Sequence, residues 1–106
     1  MTYTVAIVPS VSRDMKKLPG DVRASILRRI EKLAEDPCGP GAEKVRGVKH
    51  CFRVRQGNYR IIYGVFDESL RVLVVRVGHR SEVYRDAISW LRKAMTEGRR
   101  RRRRRT

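Results

Sequence analysis

An α+β fold, a helical hairpin packed on a small antiparallel sheet in the order β-α-α-β-β-β-α, follows from three observations. Early apolar residues recur at helical spacing, the middle of the chain switches to a period of two, and turn residues separate the segments. At 106 residues the chain makes one domain, and its 41% hydrophobic content suffices for a single modest core.

Residues 2–8 are rich in β-formers and read as the first strand. Ser10 or Ser12 is expected to cap a short helix ending near Lys17, which Leu18-Pro19-Gly20-Asp21 breaks. Asp21 is the expected N-cap of a second helix, because Val22, Ile26, Leu27, Ile30, Leu33 and Ala34 fall on one helical face. Arg23, Arg28, Arg29, Glu31, Lys32 and Glu35 take the other face, and Asp36-Pro37 ends the helix. Cys38-Gly39-Pro40-Gly41 is a loop by composition.

Phe52 and Val54 then alternate with Arg53 and Arg55 until Gln56-Gly57-Asn58 supplies a hairpin turn. A second strand covers residues 59–66, Asp67-Glu68-Ser69 turns the chain, and residues 70–77 form a largely apolar third strand expected to be central. Ser81 is placed to cap a last helix over residues 82–94, with Val83, Ala87, Leu91 and Ala94 inward. The domain is expected to span residues 1–97. Residues 98–106, which hold seven consecutive arginines, read as a disordered tail, since they have nothing apolar to bury and their charges repel.

Charge narrows the partner. The chain has 26 Lys and Arg against 11 Asp and Glu; without the tail's seven arginines, 19 cations still exceed the acids by eight. Such an excess on the folded part favours a polyanion through counterion release, although an acidic membrane surface or a very acidic protein would also satisfy it. The longest mainly apolar run, residues 59–66, is interrupted by Arg60 and is far short of the ~20 residues of a membrane span. The N-terminal residues lack the pattern of a secretory signal, so a cytoplasmic location and no membrane partner are expected. Cys38 and Cys51 are too few for a disulfide framework, have no metal-type spacing, and are expected to be free thiols.

No zinc motif, phosphate-cradling glycine loop or Ser/His/Asp arrangement is present. The acids are scattered over helices and turns with no pair on one strand face, so metal-dependent hydrolysis is not expected and no cofactor is implied. His50, beside a loop, reads as a surface residue. Arg53 and Arg55, two apart on a strand, project from one face, and Arg60 follows just beyond the turn on the adjacent strand. Arg80 ends the third strand and Tyr84 opens the last helix four residues on. Four guanidiniums and a phenol are thus expected to gather around one concave face. Any one of these arginines alone would equally suit a solvated basic surface.

Four segments in order resemble one family. Lys44-Val45-Arg46-Gly47, Cys51-Phe52-Arg53-Val54-Arg55, Gly57-Asn58-Tyr59-Arg60-Ile61-Ile62-Tyr63 and Val77-Gly78-His79-Arg80-Ser81-Glu82-Val83-Tyr84 are similar to toxins of the RelE/ParE superfamily, RelE type. The likeness covers residues 2–94 and leaves the arginine tail outside. It implies a RelE-like microbial ribonuclease fold and the toxin of a type II toxin–antitoxin system. It also implies metal-free, ribosome-dependent mRNA cutting by attack of the RNA 2′-hydroxyl, and an antitoxin partner with an acidic amphipathic segment. Arg53, Arg55, Arg60, Arg80 and Tyr84 match the family's catalytic positions, while Lys44, Arg46 and His79 are the expected substrate-binding residues.

One departure bears on mechanism. RelE itself usually has lysines where this chain has Arg53 and Arg55, and arginine stays protonated in proteins. The base is then left to Tyr84 as a phenolate, to His79, or to ribosomal RNA. Two other readings stand beside this one: a ParE-type inhibitor of DNA gyrase, and a non-catalytic nucleic-acid-binding module.

Overall fold

The computed structural model describes residues 2–79. The expected last helix and the tail lie outside the described residues. The chain forms β1 (Thr4–Ile7), α1 (Pro9–Met15), α2 (Gly20–Leu33), β2 (Glu43–Lys44), β3 (Cys51–Gln56), β4 (Tyr59–Phe66) and β5 (Arg71–Gly78). A short 3₁₀ turn, Asp67–Ser69, joins β4 to β5.

The strands make one sheet in the order β1-β5-β4-β3-β2. β2 through β5 pair antiparallel, but β1 runs parallel to β5, so the sheet is mixed rather than purely antiparallel. Tight turns force β3, β4 and β5 to alternate in direction. The helical hairpin between β1 and the rest is long enough to permit a parallel pair. β4 holds the middle place, and β5 lies between it and β1. The two-residue β2 is too short to show any periodicity, and the sequence reading passes over it.

Both helix starts differ from expectation. α1 begins at Pro9 behind Val8, with no side-chain cap from Ser10 or Ser12; proline at the first position needs no N–H partner. α2 begins two residues early, behind Pro19, and Asp21 sits in its first turn, where a carboxylate favours the helix dipole. Its inward stripe is Ile26, Ile30 and Leu33, whereas Leu27 is 38% exposed. No helix among the described residues is long and apolar enough to cross a membrane.

The core joins Val11 and Met15 of α1 and the α2 stripe to Val54, Ile61, Tyr63, Val65, Val72, Val74 and Val77 of the sheet. Fully burying each such side chain contributes roughly 1.5–3 kcal/mol. Tyr63 is 0% exposed and donates its hydroxyl proton to the Pro37 carbonyl at 2.6 Å, tying β4 to the segment after α2. Cys51 is a buried free thiol, pushed from 9.0 up to about 11 by burial, and Cys38 is free and exposed.

Two local features set the faces of the sheet. Gly57 opens the two-residue β3–β4 turn with φ 60°, a conformation glycine adopts without strain. Between β4 and β5 the register shifts at Ile62 and Tyr63, leaving Val75 of β5 without a partner on β4. This bulge keeps Val74 and Val77 on the helix side and turns Arg76 to the opposite face.

Candidate active site

Alternation in β3 decides which side chains stand together. Phe52, Val54 and Gln56 share the helix-side face: Val54 is buried, and Gln56 Nε2 donates to Ser25 Oγ of α2 at 2.6 Å. Arg53 and Arg55 therefore occupy the other face, as the spacing predicts. The tight turn sets Arg60 directly opposite Arg55, so these two side chains rise together from that face. Arg55 is exposed and Arg60 half-buried. Two guanidiniums side by side suit a polyanionic ligand.

The next row across the sheet reads Glu43, Arg53, Ile62, Arg76, one residue from each of β2, β3, β4 and β5. Arg53 Nη2 donates to Glu43 Oε2 at 3.0 Å, and Arg76 Nη1 lies 3.6 Å from Asp14 Oδ2 of α1. Sequence reasoning misses both Glu43 and Arg76. Unbroken alternation groups Arg76 with Val72 and Val74, and only the bulge reverses that phase. Glu43 needs the pairing of β2, which two residues do not announce. A charged residue ten positions before Arg53, across a turn-rich loop, was the available signal.

The remaining predicted residues do not gather with the arginines. Lys44 pairs with Phe52 and so belongs to the helix-side face, where it lines a cleft with Cys38, Lys49, His50, Phe52, Val65 and Asp67. A two-residue strand must put one neighbour on each face, and Glu43 takes the arginine side. Arg46 is exposed in the turn after β2. His79 follows β5 with its ring edge-on to Tyr59 at 5.2 Å, and Tyr59 shares the face of Ile61. Its imidazole thus sits apart from the Arg55–Arg60 pair. Arg80 and Tyr84 lie outside the described residues. Among the described residues no group of three or more His, Cys, Asp or Glu is placed to hold a metal ion.

The sequence profile of the ParE toxin of type II toxin–antitoxin systems matches residues 5–84. The chain belongs to this toxin family. Toxin RelG of Mycobacterium tuberculosis is 34% identical over 80% of this chain and 99% of its own. The mRNA interferase toxin RelE of Escherichia coli is 33% identical over 83% of this chain and 96% of its own. Among solved structures, a free mutant form of E. coli toxin RelE superposes with a TM-score of 0.73 at 29% identity, covering 84% of this chain and 97% of that one. A RelBE toxin–antitoxin complex from M. tuberculosis gives 0.67 at 30% identity, over 76% of this chain and all of that one (100%). The arginine run at residues 99–105 lies beyond the segment that the family profile matches.

Proposed function

We propose that this toxin is a ribosome-dependent endoribonuclease that cuts mRNA without a metal ion and so stops translation. One observation carries the reading: Arg55 and Arg60 directly opposed on the sheet face away from α2, with Arg53 two residues along. The 33% identity to an mRNA interferase supports it. Attack of a ribose 2′-hydroxyl on the adjacent phosphorus builds a dianionic phosphorane, and planar guanidiniums fit its oxygens bidentately. Arg60 and Arg80 stabilise that charge, Arg53 and Arg55 complete the cationic face, and Tyr84 stacks on a base to hold the nucleotide in line. Arg46 holds backbone phosphate beside the site. Lys44 and His79 have no part in this scheme.

The setting follows from the substrate. A toxin acting on translating ribosomes works in the cytoplasm. Its antitoxin offers an acidic amphipathic segment to the arginine face, as expected from the similarity to a toxin–antitoxin complex. Primer extension on mRNA after induction tests the activity. Wild type should give discrete cleavage sites; Arg60→Ala, Arg80→Ala and Tyr84→Ala should remove them and the growth arrest while preserving the fold. Full toxicity in a folded triple variant would contradict the reading. The matched family's ParE description supports a second one: intact mRNA with inhibited gyrase supercoiling would establish a gyrase inhibitor.

A further inference from the structure

We propose that the cleft around Lys44, Lys49 and His50 binds a single nucleotide through its terminal phosphate and its base. The site is separate from the cutting reaction: Lys44 stands on the helix-side face, and Arg55 and Arg60 on the other. The cleft encloses about 450 Å³, within the range of roughly 300–1,000 Å³ typical of small-molecule sites.

Its lining joins free cations to an apolar surface. Lys44 and Lys49 are exposed, and neither ammonium has an ion-pair partner among the described residues. Together they match the two charges of a phosphate monoester, which accepts charge-assisted hydrogen bonds from both. The Cys38 thiol in the same lining adds no competing charge. Burial and the Asp67 and Asp36 carboxylates raise its pKa against the opposing pull of Lys44, and keep it protonated.

Phe52 and Val65 supply the apolar surface. The buried Tyr63 ring stacks on half-buried Phe52, centroids 6.1 Å apart, and fixes its plane for a base to pack against. His50 closes a corner in a left-handed conformation, φ 61°, which is costly outside glycine and recurs at ligand clamps. Its carbonyl accepts from the Val65 N–H at 2.8 Å, so that corner is tied to β4. Asp67 accepts from the Tyr3 hydroxyl through Oδ1 at 2.6 Å and keeps Oδ2 for a ribose hydroxyl. A strand of RNA would need cations spaced along a track, whereas both ammoniums here serve one cavity. A strand held at Arg55 would also have to round the sheet edge to reach it. The arrangement therefore suits one nucleotide better than a polymer.

The test is titration of the full chain with adenosine 5′-monophosphate, followed residue by residue by NMR. The His50 amide and the Val65 methyls should shift together and saturate as one site, with a Kd of about 1 mM or below. Lys44→Ala should weaken that site about tenfold, and Lys44→Ala with Lys49→Ala further, while Arg55→Ala leaves it unchanged. Inorganic phosphate and adenosine should each bind about tenfold or more weakly than the nucleotide, since each lacks half of the recognised group. No saturable shift at His50 and Val65 up to about 10 mM nucleotide would overturn the proposal. So would a site whose affinity survives both lysine substitutions. A short RNA oligomer that shifts these residues at lower concentration than the nucleotide would make the cleft part of a polymer track, and overturns it too. If the double variant fails to fold, the comparison of nucleotide, phosphate and adenosine on the wild type decides. Binding is read without ribosomes or mRNA, so its failure leaves the ribonuclease reading standing, and a protein that cuts nothing leaves this site untouched.

Discussion

The two faces of the β3–β4 hairpin share one backbone and answer to different demands. The helix-side face carries Val54, Ile61 and Tyr63, all at most 2% exposed, and two polar groups there tie it to its neighbours: the Tyr63 hydroxyl to Pro37 and Gln56 to Ser25. The opposite face sets Arg55 against Arg60, two guanidiniums side by side. Residues 60 and 61 are chain neighbours, yet one belongs to a recognition surface and the other to the core. Stability and activity are therefore separable here by single substitutions one position apart.

The largest expected effect on the fold side is Ile61→Ala, which should cost about 2–5 kcal/mol in denaturant unfolding while cleavage per folded molecule stays at the wild-type rate. Tyr63→Phe should cost about 1–3 kcal/mol by leaving the Pro37 carbonyl unsatisfied, again without a change in cleavage. On the other face Arg55→Ala should slow cleavage by about tenfold and change stability by no more than about 0.5 kcal/mol, because Arg55 is exposed. The smallest effect on cutting is expected from deleting residues 99–106: cleavage on ribosomes persists. The slope of log affinity for single-stranded RNA against log salt should flatten by about 5, at about 0.7 per released counterion for seven arginines.

A pH measurement sharpens the core side further. Burial holds the Cys51 thiol near 11 against 9.0 for an exposed one. Below the lower value both states keep the proton, so no contribution arises. As pH rises above it, the unfolded thiol ionises and the folded one does not, so stability should fall. Cys51→Ala should remove that part of the alkaline loss, as denaturation midpoints at about pH 8 and pH 10 would show.

What the sequence discloses follows from how far a signal extends along the chain. The α2 stripe of Ile26, Ile30 and Leu33 and the β3 alternation of Val54 with Arg53 and Arg55 are periodic over several residues, and both hold in the structure. Features one or two residues long escape. β2 is two residues, so its pairing sent Glu43 to the arginine face and Lys44 to the other, against expectation for Lys44. The bulge is one residue, Val75, and it moved Arg76 across the sheet. The parallel β1–β5 pair is likewise invisible locally, because it depends on where a long connection brings the chain back. The arginine set was legible; the acid beside it was not.

The proposed cutting reaction places its chemistry on the Arg55–Arg60 pair, whereas Ile62 and Cys51 on the same face belong to the core. Single-turnover cleavage of mRNA on programmed ribosomes by Arg60→Ala, alongside its unfolding curve, tests this most directly. The expected result is a loss of about 10²–10³-fold in rate by a protein that still unfolds cooperatively. Wild-type cutting by a folded Arg60→Ala protein would contradict it.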